Sequence, residues 1–379
     1  MKKINYTILL TIQFILVMTV VKTSIPAQQP IIIDHSCTDI HEIPVQWIDS
    51  ARANLFIGYG HTSHGSQLIS GMNAIESYFT DGTFNWSHSG GEGELHLFEG
   101  AEYEEGYLEL DCGYSGWDNQ TREFLDSFPA CNVIIWSWCG QVNDVDLASH
   151  YLGPMEQLES EYPYVKFIYM TGHLEGLGPE GSVYAANQQI RDYCNANNKI
   201  LFDFADIEKY KPYNDTNYQA YFADDGCYYN HPQGGQRNWA EEWLSANTSH
   251  ELTQISELCG SCAHSKSLNC VKKGIACWYM WARIAGWDNG DVTTGVLYHR
   301  DAISLYPNPA GDYFTVALPE ETEGAILEIT DLQGRPVFTN NINRGTKKII
   351  ITDLNIAAGI YILRINTGYY FYTAKLLKQ

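Results

Sequence analysis

The chain has 379 residues, with 23 Lys and Arg against 45 Asp and Glu, for a formal charge of -22. A surface that acidic argues against nucleic acid and anionic membranes as partners. Residues 304–379 hold seven Lys/Arg and seven Asp/Glu, so the excess of acid lies upstream of them.

Taken in order, the chain starts with a positive Met1-Lys2-Lys3, and Ile8 to Val21 is an apolar run interrupted by Thr11, Gln13 and Thr19. That run is short and polar for a membrane span and reads as a signal peptide, 1–27, cut near Ala27. Residues 28–288 are enough for one α/β domain with a full core. Strands are predicted at 54–58, 132–138, 165–171 and 199–204, and helices at 67–79, 182–195, 236–245 and 271–287. Leu68, Met72, Ile75 and Phe79 share one face of the first helix, and Val271, Ile275, Trp278 and Ala282 one face of the last. Apolar strands alternating with helices imply a parallel sheet covered on both faces, with ligands bound outside the carboxyl ends of the strands.

The polar residues at those ends are the candidates for chemistry. The first strand runs into Gly60-His61-Thr62-Ser63-His64-Gly65 just before a helix, where a serine hydroxyl is exposed and backbone N–H groups can stabilise an oxyanion. Cys139-Gly140-Gln141-Val142-Asn143-Asp144 follows the second strand, His173 and Glu175 the third. Asp224, Asp225 and His231-Pro232 come after the fourth. An imidazole that takes the serine proton needs a third group to hold its tautomer. Ser63 with His231 supplies the first two members of such a unit, and Asp225, Asp224 or a backbone carbonyl the third. Oxyanion donors are the Ser63 N–H and the Asn143 amide; His61, His64 and His173 are expected to line the substrate cleft.

All ten cysteines precede residue 278. In an exported chain their even number favours disulfides over a thiol catalyst. Cys259, Cys262, Cys270 and Cys277 cluster with His264 and are expected to form disulfides or, alternatively, a structural metal site.

These residues resemble, in order, the blocks of the SGNH (GDSL-like) hydrolases, over roughly residues 50–250. Gly60 to Gly65 is similar to a divergent His-x-Ser-x-Gly branch, Gly116 or Gly113 stands for the family's oxyanion glycine, Gly140 to Asp144 is similar to the Gly-x-Asn-Asp block with one extra residue, and Asp225 to His231 to the final Asp-His block. Here the aspartate is six residues before the histidine rather than three. The resemblance implies a three-layer α/β domain with a flavodoxin-like parallel sheet. It also implies a serine esterase that removes an acyl group, in particular acetyl, from an extracellular carbohydrate or similar small ester, without a cofactor. Two other readings stay open: a non-catalytic glycan-binding surface protein, since 13% of the residues are aromatic, and a metal-dependent hydrolase using His61, His64 and His173.

A linker is expected at 289–303, and beyond it apolar and polar residues alternate between Gly and Pro turns, as in a small antiparallel β-sandwich. Leu305-Tyr-Pro-Asn-Pro-Ala-Gly, Ile326 to Arg335, Asn355-Ile-Ala-Ala-Gly and Ala374-Lys-Leu-Leu-Lys378 follow one another in the order of the type A sorting domain of type IX secretion. That resemblance, over 304–379, implies an Ig-like all-β domain, delivery to the medium or the outer cell surface, and the type IX machinery as partner, with membrane contact only during export. Deleting 304–379 should leave the protein in the periplasm, as read by cell fractionation; unchanged surface delivery would refute the assignment.

Overall fold

The computed structural model describes residues 29–100, 107–214, 216–288, 298–299 and 303–379 except 312, 323–324, 332–334, 353, 355 and 367–369. The expected signal peptide and most of the expected linker lie outside the described residues. No helix among the described residues is long and apolar enough to cross a membrane.

Seven short apolar segments form one parallel sheet: β1 (Ile31–Ile33), β2 (Phe56–Gly60), β3 (Trp86–Ser87), β4 (Leu95–Glu99), β5 (Val133–Trp136), β6 (Lys166–Met170) and β7 (Ile200–Phe202). Their spatial order is β1-β7-β6-β5-β2-β4-β3. The inner five, β4-β2-β5-β6-β7, follow the doubly wound order of flavodoxin-like sheets. From β2 the chain passes to β3 and β4 on one side, then returns to β5 on the other. The connections leaving β2 and β5 therefore diverge and open a crevice at the strand ends.

Helices α1 (Val45–Asn54) and α2 (Ser66–Tyr78) cover the sheet together with the late helices α8 (Glu251–Leu258) and α9 (Ser267–Ile284). Across the sheet lie α3 (Trp117–Ser127), α4 (Gly153–Glu161) and α5 (Ser182–Ala196), linked by ring contacts that run Trp117, Tyr151, Tyr169, Tyr193. Two shorter helices, α6 (Phe204–Glu208) and α7 (Trp239–Ala246), complete the domain. The expected one-sided packing of the last helix is exceeded, because α9 is buried all round, Lys272 and Lys273 included. A helix enclosed on every side belongs to the core rather than to its surface.

The predicted helix at 236–245 divides in two. Gln236–Asn238 pairs with Tyr228–Asn230 as an antiparallel hairpin of strands β8 and β9, closed by a turn holding Pro232, Gly234 and Gly235. The Asn238 carboxamide then caps α7 by accepting from the Ala240 and Glu241 N–H groups, a local interaction that a helical continuation would forfeit.

The C-terminal residues form two small sheets, antiparallel apart from β10 (Tyr298–His299), which runs parallel to β17 (Tyr370–Lys378). One has the order β10-β17-β16-β13-β14, with β13 at Ala325–Thr330, β14 at Pro336–Ile342 and β16 at Gly359–Asn366; the other joins β11 (Ser304–Tyr306), β12 (Tyr313–Thr322) and β15 (Thr346–Thr352). Phe314, Val316, Ile349, Ile351, Leu363 and Ile365 build a core separate from that of the α/β domain. In β13 it is Leu327 and Ile329 that point inward, leaving Ile326 half exposed. The chain is thus an α/β domain with an all-β tail.

Helices α2 and α9 cross at backbone contact. A Cβ on Gly71 would lie 1.9 Å from the Cys270 carbonyl oxygen, and one on Gly274 would lie 2.4 Å from the Gly71 carbonyl carbon. Neither neighbour is a side chain that can swing away. Gly274→Ala should lower stability by about 3 kcal/mol, the upper end for an overpacked core, measured as a shift in the denaturation midpoint at constant slope; a shift within error would show that the helices can separate freely.

Candidate functional site

Residues at the mouth of the crevice converge from three loops. The turn after β2 carries Thr62, Ser63 and His64 into α2. It is drawn tight against the end of β5 at Gly65, where a Cβ would fall 2.4 Å from the Ser137 hydroxyl and 2.3 Å from the His61 Cβ. The segment after β5 delivers Cys139, and the irregular stretch between α6 and β8 delivers Asp225.

His64 joins the other two. Its Nδ1 is 3.2 Å from Cys139 Sγ and its Nε2 is 2.9 Å from Asp225 Oδ2. The Ser63 hydroxyl also lies 3.2 Å from the sulfur, and the His64 N–H is directed at it. The nearby Thr62 hydroxyl donates to Asp111 Oδ2 at 2.6 Å, so its proton is committed elsewhere. The faces of the His64 ring are covered as well: His173 stacks at 4.0 Å and 3°, and His264 at 4.3 Å and 11°.

The electrostatics follow from these contacts. The hydrogen bond from His64 is the largest influence on Cys139; partial burial opposes it and Ser63 reinforces it, so the thiol pKa falls to about 6. For His64, burial disfavours the charged ring, but the hydrogen bonds to Asp225 and Cys139 outweigh it and raise its pKa to about 9. Asp225 is lowered, burial again being outweighed by its bond to His64. Between about pH 6 and 9 the pair is a thiolate facing an imidazolium. Burial pushes the other seven free cysteines the opposite way, Cys37 and Cys259 to about 11, Cys131 and Cys227 to about 12, and Cys112, Cys194 and Cys277 likewise upward.

The predicted site residues are distributed unevenly around this centre. Ser63 and Asp225 are in it, but Asp225 is bonded to His64, and Ser63 and His231 share no hydrogen bond. His231 belongs to the β8–β9 turn, where its Nδ1 accepts from the Gln233 N–H at 3.2 Å. His61 is 1% exposed and pairs with Glu99 at 2.9 Å. His173 is half-buried beside His64, its Nδ1 2.7 Å from the Leu174 carbonyl. The Asn143 amide donates to the Ser182 hydroxyl at 2.9 Å, and Gly116 precedes α3 with φ 93°.

Cys262 and Cys270 form the one disulfide, while Cys259 and Cys277 are free and buried. Sequence reasoning misses the thiol at Cys139 because the even number of cysteines points to disulfides. The available signal was its place directly beyond an apolar strand and before a glycine. A possible ion site coincides with the same groups, since ligand atoms of His64, His173 and Asp225 lie within 4.8 Å of one another.

Comparison with known proteins identifies the tail alone. Residues 304–379 match the family described as "Secretion system C-terminal sorting domain". With this domain of the type IX system the protein is exported, to the medium or the outer cell surface, and the secretion machinery is its partner. No curated protein matches the chain. Among solved structures, an engineered protein aligns at 10% identity and a TM-score of 0.21, over 93% of this chain and 99% of that one. A catalytically inactive OgpA from Akkermansia muciniphila, in complex with an O-glycopeptide substrate, aligns at 10% identity and a TM-score of 0.14, over 85% and 92%. Similarity at that level carries no argument about fold or activity.

Brief treatment of the folded protein with iodoacetamide at pH 7 should label Cys139 and leave the seven buried thiols unmodified, as read by peptide mass spectrometry. Labelling spread evenly over several cysteines would contradict the selective activation of this sulfur.

Proposed function

We propose that this exported protein is a thiol-dependent acyl hydrolase, with Cys139 as nucleophile, His64 as proton carrier and Asp225 holding His64 in place. The observation that carries the reading is the unbroken line Cys139–His64–Asp225, with His64 bonded through both ring nitrogens at the carboxyl ends of β2 and β5. A thiolate is a far better nucleophile than a neutral hydroxyl, and a histidine oriented by a carboxylate both keeps it ionised and supplies the proton that the leaving group needs.

The steps balance without a further reagent. The Cys139 thiolate attacks the carbonyl carbon of an acyl ester; the carbon–oxygen bond breaks and the departing alkoxide takes the proton from His64 Nδ1. The acyl group is then a thioester on Cys139. Neutral His64 next accepts a proton from water, the resulting hydroxide adds to the thioester, and the acid leaves as the thiolate is regenerated beside an imidazolium. Asp225 on Nε2 keeps the reacting nitrogen turned toward the sulfur throughout. The Ser63 hydroxyl, 3.2 Å away, donates to the thiolate. The acyl ester expected from the sequence, in particular an acetyl ester on an extracellular carbohydrate, is a substrate this chemistry can take.

Two other assignments make different demands on the same groups. Ser63 as nucleophile would require an imidazole on its hydroxyl, and the hydroxyl is instead on the sulfur. A metal ion on His64, His173 and Asp225 would have to displace the His64–Asp225 hydrogen bond.

On short p-nitrophenyl esters, Cys139→Ala and His64→Ala should each lower the rate about a thousandfold or more, with the double variant little worse, because the two act as a unit. The profile of kcat/KM should rise as pH passes about 6, where Cys139 ionises, and fall above about 9, where His64 loses its proton. Full activity in Cys139→Ala combined with its loss in Ser63→Ala would replace the thiol reading with the serine one; abolition by a chelator would replace it with the metal reading.

A further inference from the structure

The segment closed by the Cys262–Cys270 disulfide reaches two of the three members of the triad. The disulfide ties residues eight apart, one of them on the buried helix α9. Between them the Ala263 carbonyl accepts from Gln67 Nε2 of α2 at 2.6 Å, and the Ser265 hydroxyl donates to the Asp225 carbonyl at 2.6 Å while accepting from Asn269 Nδ2 at 2.9 Å. His264 itself is exposed, and its φ of 63° lies in the left-handed region. That region is uncommon for a residue with a Cβ, and histidine enters it more readily than most.

His64 has a demanding position. Its two ring nitrogens serve partners on different loops, so any tilt of the ring plane weakens both bonds together. Two nearly parallel rings at 4.0 and 4.3 Å can lie only on opposite faces of it, so His173 and His264 clasp the imidazole between them. His173 is fixed from below through the Leu174 carbonyl. Among the described residues, His264 is held by the strap and by its stacking on His64.

We propose that the disulfide-closed segment Cys262–Cys270 is a strap that positions His64 for reaction, with His264 as the positioning residue. The inference rests on the reading of Cys139, His64 and Asp225 as a thiol triad. His264 is not assigned contact with the reacting atoms; its ring sets the plane in which His64 meets the sulfur and the carboxylate. The titratable groups facing His64 are Cys139 and Asp225 at its edges, His173 and His264 at its faces, and Glu208 at longer range, paired with Lys273. Opening the disulfide would free the strap from α9 and release His64 on one side, so the site is tuned to the oxidising conditions outside the cell.

The test is the rate at which iodoacetamide alkylates Cys139 between pH 5 and 9 in the full-length protein, with labelling at Cys139 followed by mass spectrometry. Wild type should reach half its maximal rate near pH 6. In His264→Ala and in the Cys262→Ser, Cys270→Ser double variant the profile should move upward by about one unit, seen as an about tenfold slower reaction below the midpoint. His264→Phe, which keeps a flat ring on His64, should restore most of the wild-type profile. A role limited to stability would lower the melting temperature without moving this midpoint. Profiles of His264→Ala and of the double variant that coincide with wild type overturn the strap and leave the triad standing. A wild-type Cys139 that fails to react at pH 6.5 defeats the triad and the strap together.

Discussion

The buried ion pair between Lys273 and Glu208 is the constraint on which the site depends. Both side chains are wholly enclosed, with Nζ 2.6 Å from Oε1, and burial lowers the pKa of the lysine. Two enclosed charges are tolerated only with further hydrogen bonds, and removing one partner of such a pair costs about 3–5 kcal/mol. Here the further bonds are made to the site itself. Lys273 also donates to Gln67, whose amide holds the Ala263 carbonyl of the strap, and Glu208 Oε2 accepts from the Leu174 N–H at 2.8 Å. The Leu174 carbonyl in turn accepts from the Asp225 N–H at 3.1 Å and lies beside the His173 ring. One pair on α9 and α6 thus anchors the loops bearing Asp225, His173 and His264, while the glycine crossing sets α2, and with it His64, at a fixed height against α9.

Within that frame, environment decides the chemistry of the cysteines. Eight free thiols share one composition, and seven are raised in pKa because they sit in apolar surroundings with few donors. Cys139 is the half-exposed exception, and it faces a histidine, a serine hydroxyl and a backbone N–H at the point where the strand order reverses. The doubly wound order generates that point: strands β2 and β5 are neighbours in space, yet their following segments turn to opposite sides, which leaves the groups at their ends facing one another across open space.

Much of the architecture was legible in the chain. Strands at β2, β5, β6 and β7 and helices at α2 and α5 carry unbroken apolar runs or helical spacing, and these signals are local. The hairpin of β8 and β9 was obscured because its Trp-rich continuation has helical character and the strand before it is only three residues long. The enclosure of Lys272 and Lys273 was equally hidden, since nothing near them in sequence announces that their partners lie on α6 and the segment after it.

What the sequence by itself determined is therefore the alternation of strands and helices, the sorting domain at the C-terminus, and the set of polar residues gathered at the strand ends, Ser63, His64, His173 and Asp225 among them. These depend on periodicity and motif, which act over a few residues. Which histidine meets which thiol or hydroxyl was decided by tertiary structure alone. Cys139 is 75 residues from His64, and Asp225 is 161. Their meeting requires the β2–β5 neighbourhood, the close passage at Gly65 and the buried pair beneath. Hydrogen-bond geometry at that scale is set by packing between distant segments, and so no local pattern in the chain could encode the partner of His64.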